Sequence, residues 1–297
     1  MKTLSLEQDT ASPSKVGNLG NSTGWMPANL SGKLFKWYLL LPDHPSKIRV
    51  ENWIGRLFFK QGILVKGFGT KFRLDANDWI TRTMIEEGQF EKLSLNLARD
   101  IMAKGGNLVD IGANFGFYTC VLGNMPGVRC LSVDASPRIM AKLKTNLSLN
   151  PSVKTEVVQT ALASDYGTVK FFSPDSGNLG MSKTVMADED AGEDYIVLDS
   201  IPLNALLSEK KMKPIKLLKI DIEGFEMEVF KTFDFNGEYR PANILMEYVP
   251  KHHSNGLDIN GCRQFFESRG YELLNIKGDK IKSAAQIIED NIWLRSL

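Results

Sequence analysis

The chain has 297 residues, 36 Lys and Arg against 35 Asp and Glu, a formal net charge of +1, 43% hydrophobic and 24% charged residues. That balance gives no electrostatic case for a nucleic-acid or anionic-membrane partner, and the length can bury one large core, or a core plus a smaller lobe. No apolar run is long enough to span a bilayer, the opening residues lack the basic-then-apolar layout of a secretory signal, and Cys120, Cys130 and Cys262 form no C-x-x-C pair, so free buried thiols in the cytoplasm are expected.

In chain order, residues 1 to about 30 are rich in Ser, Gly, Asn and Pro and are expected to form a mobile tail. Residues 31–103 form an accessory region. Lys33 to Leu41 and Ile48 to Lys60 have helical spacing, Ile63 to Leu74 alternates as a strand pair, and a helix runs from Asp78 to Glu86 with Asp78 as its N-cap. Trp25, Trp37, Trp53 and Trp79 read mostly as core residues, with stacking on a sugar or ring acceptor as the other use of such side chains.

Residues 104–297 alternate strands and helices, the pattern of a parallel sheet covered on both faces. Strands are expected at Asn107–Ile111, Arg129–Asp134, Thr155–Ala161, Lys216–Ile222, Asn243–Val249, Tyr271–Ile276 and Ile287–Leu294. Helices are expected at Phe117–Gly123, Arg138–Leu149, Glu226–Thr232 and Gly261–Arg269. Between Ala163 and Leu198 lies an insertion, with a hairpin arm at Thr168–Phe172 and a polar loop from Asp175 to Gly192. Too little chain separates the last two strands for a helical crossover, so they should pair antiparallel. The predicted architecture is α/β: a seven-stranded, mostly parallel sheet with an antiparallel C-terminal hairpin. No sustained heptad or marked apolar patch is visible, and the oligomeric state stays open.

The segment from Leu108 to Thr119 reads as an apolar strand, a glycine-rich turn and the start of a helix. Gly112 and Gly116 allow special dihedrals and the close approach of a ligand, and free N–H groups opening the helix favour an anionic group. The G-x-G-x-x-G fingerprint of a dinucleotide site fails, with Asn114 and Phe117 where its second and third glycines belong. What remains is Asp-x-Gly-x-Asn-x-Gly, in which Asp110 suits the ammonium that S-adenosylmethionine has and NAD lacks. Asp134 ends the next strand at roughly the twenty-residue separation of a ribose-binding carboxylate. Otherwise, Asp110 and Asp134 simply terminate strands.

These residues carry a family resemblance. Asp110-Ile-Gly-Ala-Asn-Phe-Gly-Phe-Tyr-Thr119 resembles the first motif of the FkbM family of S-adenosylmethionine-dependent methyltransferases. Leu218-Lys-Ile-Asp-Ile-Glu-Gly-Phe-Glu226 resembles its KIDxEGxE segment, and Ala161-Leu-Ala-Ser-Asp-Tyr-Gly-Thr-Val-Lys-Phe171 the segment after its third strand. Leu74-Asp-Ala-Asn-Asp-Trp-Ile-Thr-Arg82 with Gly88-Gln-Phe-Glu91 is similar to its lead-in. The resemblance covers residues 70–297, and Asp134 departs from the Glu-Pro common among members. It implies a class I, Rossmann-like methyltransferase that methylates a hydroxyl of a sugar, glycan or secondary metabolite. On the cofactor side it implies Glu91, Asp110, Gly112, Asn114, Gly116, Thr119, Asp134, Ala135, Leu162 and Asp221.

A neutral alcohol is a poor nucleophile and needs a base within hydrogen-bond reach. Asp221, Glu223, Glu247, His252 and His253 are the candidates, with His253 carried forward of the two histidines. Asp221 and Glu223 alternate at the end of an apolar strand, so their side chains should point the same way and raise one pKa. Glu223 alternatively caps the helix after Gly224. Glu247 ends the apolar strand Ile244-Leu-Met-Glu-Tyr-Val249, where a charge needs a partner or a purpose. Asp221, Glu247 and His253 offer oxygen and nitrogen ligands to Mg²⁺ or Mn²⁺, but no spacing demands a metal and none is expected. An NAD-dependent oxidoreductase is opposed by the broken fingerprint. An amino-methylating nucleic-acid enzyme is opposed by Asp221-Ile-Glu-Gly standing where an Asn/Asp-Pro-Pro-Tyr/Phe loop belongs. A non-catalytic S-adenosylmethionine-binding module is the remaining alternative.

Overall fold

The computed structural model describes residues 24–172, 183–186, 195–249 and 258–297. Most of the expected tail, most of the polar loop, and His252 and His253 lie outside these residues.

The N-terminal region runs through β1 (Met26–Pro27), α1 (Leu30–Leu39), α2 (Lys47–Phe58), the hairpin β2 (Ile63–Gly67) and β3 (Thr70–Leu74), α3 (Trp79–Glu86) and α4 (Lys92–Met102). Local signals start two of these helices. Asn29 accepts a hydrogen bond from the Gly32 N–H at 3.0 Å and Asp78 from the Ile80 N–H at 2.9 Å. The alternation at 63–74 buries Ile63, Val65, Phe72 and Leu74.

Helix α4 was not among the expected elements, and its capping explains why. Glu91 precedes it at φ 41° and caps nothing with its side chain. Instead the Glu289 carboxylate, from near the other end of the chain, accepts from the Leu93 and Ser94 N–H groups at 3.0 and 2.8 Å. A helix capped from another element leaves no local start signal.

From residue 106 onward come β4 (Gly106–Ile111), α5 (Phe117–Gly123), β5 (Val128–Asp134), α6 (Pro137–Ser148), β6 (Thr155–Gln159), β7 (Ala161–Ala163), β8 (Gly167–Phe172), β9 (Lys183–Met186) and β10 (Tyr195–Pro202). Then follow α7 (Leu203–Lys210), β11 (Ile215–Ile220), α8 (Glu226–Phe230), β12 (Asn243–Glu247), α9 (Ile259–Glu267), β13 (Tyr271–Asn275) and β14 (Asn291–Ser296). The main sheet has seven strands in the order β13-β14-β12-β11-β4-β5-β6. Strands β12 to β6 in that order pair parallel, and β14 runs antiparallel between β12 and β13. The C-terminal hairpin is thus antiparallel, as the short connection requires.

Three expectations are corrected. The strand expected at Thr155–Ala161 is split: β6 belongs to the main sheet, while β7 pairs with β10 in a four-stranded sheet of order β7-β10-β8-β9. The break falls at Thr160, whose N–H turns back to the Asp134 carbonyl at 3.2 Å. Within the expected polar loop, residues 183–186 form β9 on β8. The last strand begins at Asn291 rather than Ile287, because Glu289 and Asp290 adopt positive φ of 52° and 50°, outside the extended region.

Period-two alternation divides the main sheet. Val109, Ile111, Leu218, Ile220, Ile244 and Met246 pack with Phe230 and Phe266 in one core. Leu108, Leu217 and Leu245 join the opposite core, shared with Trp25, Phe72 and Met102 of the N-terminal region. On that second face the next residues of the same parity are Asp110, Lys219 and Glu247. The strands therefore carry apolar side chains into the core and charge at their carboxyl ends.

Glu289→Ala is expected to destabilise the protein by about 1 kcal/mol, the usual cost of a lost N-cap. The denaturant midpoint should fall with an unchanged m-value.

Candidate functional site

A cavity of about 1010 Å³ opens at the carboxyl ends of the strands, where the chain reverses its direction of travel across the sheet. Strand β4 has β5 on one side and β11 on the other, and open α/β sheets bind ligands at such a crevice. Glu91, Asp110, Gly112, Asn114, Asp134, Ala135, Leu162, Asp221, Glu223 and Glu247 all line it. Gly116 and Thr119 are not among the lining residues, and His253 lies outside the described ones.

The glycine turn has a different logic from the one its spacing suggests. Gly112 has φ 72°, and a Cβ there would meet the Asp221 carbonyl oxygen at 1.7 Å. Its side-chain-free surface is thus required by the neighbouring strand, before any ligand is considered. Gly116, at φ 90°, opens α5 and faces Leu143, whose Cδ1 a Cβ would approach to 2.7 Å. The turn's amides are also largely committed. Gly112 and Ala113 donate to the Val133 carbonyl at 2.9 and 3.0 Å, and Gly116 donates to Ala113 at 2.8 Å. The expected array of free N–H groups for an anion is therefore reduced.

Asp110 and Asp134 hold the turn as well as facing the cavity. Asp110 is 2% exposed, and its Oδ2 accepts from the Thr119 N–H at 3.0 Å and hydroxyl at 2.5 Å. Thr119 supports this carboxylate from behind. Asp134 accepts from the Asn114 N–H at 3.1 Å and the Ser136 N–H at 2.9 Å. Burial raises both carboxyls to about 6, against the lowering effect of these hydrogen bonds. Asn114, at φ 48°, has its Oδ1 buried with no partner among the described residues.

The opposite wall is an acidic cluster around one cation. Lys219, 2% exposed, pairs in register with Asp110 across β11 and β4. Its Nζ lies 3.1 Å from Asp221 Oδ2, 3.2 Å from Asn291 Oδ1 and 5.5 Å from the centre of the Tyr118 ring. Burial works against the charge on Lys219, but Asp221, Glu91 and Glu247 overcome it and raise the pKa. Tyr118 donates to Glu91 Oε2 at 2.6 Å. Burial, with Asp221 adding repulsion, pushes Glu91 up to about 7 despite Lys219.

Glu223 does not alternate with Asp221 along a strand, because β11 ends at Ile220 and Glu223 takes the left-handed φ of 56°. The loop still keeps both in the cavity wall. Burial and the charge of Asp221 raise Glu223 to about 8. Burial, then Asp221 and Glu223, drive Glu247 far above the carboxylate range. Glu223 does not cap the loop before α8. Glu226 does, its Oε1 accepting from the Ile222 and Gly224 N–H groups at 2.8 and 3.2 Å. Its Oε2 is buried without a partner among the described residues, and burial raises the group to about 7.

Oxygens of Asp221, Glu226 and Glu247 lie within 4.8 Å of one another, so these are the described residues that can hold a metal ion. Lys219 already supplies a positive charge at Asp221. Sequence reasoning missed Lys219, Tyr118, Glu226 and Glu289. Lys219 carried a signal: a lysine placed between Leu218 and Ile220 in an apolar strand must be buried on one face. Tyr118 and Glu289 carried none, since their partners come from distant segments.

A model of the methyltransferase FkbM domain matches residues 110–273. Among solved structures, the precorrin-6y C5,15-methyltransferase of Geobacter metallireducens GS-15 shares 12% identity, over 71% of this chain and 86% of its own, with a TM-score of 0.36. The O-methyltransferase from Bacillus cereus in complex with SAH shares 14% identity over 69% of this chain and 80% of its own, TM-score 0.36. TYW2 of M. jannaschii in complex with AdoMet shares 12% over 80% and 87%, TM-score 0.37. No curated protein matches the chain significantly.

Lys219→Met is expected to leave the acidic cluster uncompensated and to cost about 3–5 kcal/mol. The wild-type protein should lose stability as pH rises from about 4.5 to about 8. Glu91, Glu226 and Glu223 keep protons in the folded state up to about 7, 7 and 8 but release them near 4.5 when unfolded, so the native state binds more protons across that window. Melting temperatures measured across this range test both statements.

Proposed function

The chain belongs to the FkbM methyltransferase family, and from that premise we propose that it transfers a methyl group from S-adenosylmethionine to a hydroxyl of a sugar, glycan or secondary metabolite. The observation that carries this reading is one cavity walled on one side by the β4–α5 turn and on the other by Asp221, Glu223 and Glu247. S-Adenosylmethionine, the expected cofactor, supplies a methyl group already activated on a positively charged sulfur.

The residues of the cavity fit that group. Asn114 Oδ1 is a buried acceptor with no partner among the described residues, open to a ligand donor. Asp134 has unused lone pairs beyond its two N–H partners, as a ribose-holding carboxylate needs. Ala135, Ile139, Leu162 and Phe171 supply an apolar lining for a base ring. Glu91, Asp110 and Asp221 supply negative charge for the cationic end. Gly112, Gly116 and Thr119 act by shaping the turn and orienting Asp110.

On the acceptor side, the chain must orient a hydroxyl, exclude water and receive its proton as the new carbon–oxygen bond forms. Glu223 is the proposed base. Among the described residues no hydrogen bond holds its carboxylate, and its pKa of about 8 suits proton transfer near neutral pH. Asp221 and Glu247 anchor the acceptor hydroxyls, with Lys219 fixing Asp221. His253 is an alternative base. Trp79, 64% exposed and lining the cavity, offers a stacking face to a sugar ring. No helix among the described residues is long and apolar enough to cross a membrane. The cytoplasm is the proposed setting, with Cys120, Cys130 and Cys262 as buried thiols.

Calorimetric titration should give micromolar binding of S-adenosylhomocysteine and none of NAD. Glu223→Gln should keep that affinity and lower turnover on a hydroxylated acceptor by about 10²–10⁴-fold. The wild-type kcat/KM should rise with pH to a plateau above about 8, because the base must be ionised and its pKa is raised. Full turnover in that variant would take the role of base away from Glu223, cofactor binding without turnover in the wild type would point to a binding module, and NAD binding would point to a dehydrogenase.

A further inference from the structure

Helix α2 is built inside out. Its fully buried residues are Glu51 and Gly55, while Ile48, Trp53, Leu57 and Phe58 are 68%, 58%, 47% and 65% exposed. Glu51 is tied inward by Arg82 of α3, whose Nη1 donates to it at 3.1 Å, and Arg82 Nη2 donates to Asn52 at 2.7 Å. A charged residue of α2 therefore faces the protein beside the partly buried Ile54, while most of its large apolar side chains face out. Helix α1 buries Phe35 and Leu39 but exposes a second apolar stripe, with Leu34 and Trp37 at 60% and 64%. Large apolar side chains exposed in this number on two consecutive helices point to an interaction surface. It also corrects two expectations, the absence of a marked apolar patch and the placing of Trp37 and Trp53 among the core residues.

The charge on these helices identifies the partner. Between residues 24 and 62 the cations are Lys33, Lys36, Lys47, Arg49, Arg56 and Lys60, and the acids are Asp43 and Glu51 alone. Both acids are already paired, Asp43 with Lys47 and Glu51 with Arg82. The exposed side thus offers Lys33, Arg49, Arg56 and Lys60 beside Trp, Phe, Leu and Ile; both acids between residues 24 and 62 are paired, and Glu86 of α3 is an exposed acid within reach of Lys47 and Glu51. Aromatic and aliphatic side chains interleaved with Lys and Arg match the interface of an anionic bilayer, where rings sit among headgroups and each nearby cation adds about 1 kcal/mol.

We propose that the outer faces of α1 and α2 dock this protein on an anionic lipid bilayer. The near-neutral charge of the whole chain hides this local cationic face. Docking also bears on the acceptor. Arg82 joins the inward side of α2 to α3, and Trp79 of α3 lines the cavity, so docking through α2 would bring the cavity near the bilayer, the setting of a lipid-linked hydroxyl. That last step rests on the proposed hydroxyl acceptor; the docking itself does not.

The test is flotation of the full chain with vesicles of phosphatidylcholine, with and without phosphatidylglycerol. Binding to the anionic vesicles is expected to be at least about tenfold tighter, to weaken with salt, and to shift tryptophan emission to the blue. Arg49→Glu with Arg56→Glu should abolish the preference for anionic lipid, and Trp53→Ser with Leu57→Ser should lower binding to both vesicles. Unchanged affinity for S-adenosylhomocysteine would certify the fold of each variant. No vesicle binding by the wild type, binding unaltered in both variants, or a concentration-dependent dimer dispersed by the serine variant would each overturn the proposal. The dimer would assign the face to a second copy of the chain. Loss of cofactor affinity in the wild type would instead strike the methyltransferase reading, leaving the vesicle result intact.

Discussion

The site depends on burying a single ammonium group among carboxylates. Lys219 reaches Asp221 and Asn291 from the middle of the sheet and lies over the Tyr118 ring. An unpaired charge at such depth would be prohibitive. So would Glu91, Asp221 and Glu247 around one crevice without a cation. Each half of the arrangement makes the other tolerable, and burial, reinforced by the surplus of acid over base, leaves several carboxyls holding protons near neutrality. A cationic ligand entering there favours release of those protons and is held by the carboxylates that result.

This arrangement is reached from three distant parts of the chain. Glu289 and Asn291 come from the C-terminal hairpin, Glu91 from the turn before α4, and Lys219 from the central strand β11. Glu289 caps α4, which frees Glu91 to accept from Tyr118 instead of serving its own helix. The N-terminal region and the sheet share one core, in which the Phe117 ring of the glycine-turn helix packs tilted against Trp25 and edge-on against Phe90, with ring centres at 5.7 and 5.1 Å. The wall of the cavity is therefore stiffened by packing that lies outside the family-matched segment 110–273.

Two demands meet at the glycine turn. Asp110 and Asp134 are expected either to face a ligand or to end strands, and the geometry gives them the structural role together with a place in the cavity wall. Both carboxylates satisfy backbone N–H groups and both line the cavity. A carboxylate pinned by amides needs little reorganisation when a ligand donor arrives. The outer surface follows a separate logic, because α1 and α2 satisfy the core with few residues and leave apolar and basic side chains to solvent.

The parallel strands, the antiparallel hairpin and the turn at 110–119 were legible in the chain itself, because alternation, short connections and glycine spacing are local. So were the caps at Asp78 and the acids at strand ends. Helix α4, the split at Thr160 and the outward apolar face of α2 were not, since each is decided by a partner far away: Glu289, the Asp134 carbonyl and Arg82. The same holds for Gly112, required by the carbonyl of Asp221, and for Glu226 replacing Glu223 as the loop's acceptor. Sequence alone determined which chemical groups stand at the carboxyl edge of the sheet. Tertiary structure decided which of them meet, because charge, capping and close backbone approach act through space between segments that the chain order keeps apart.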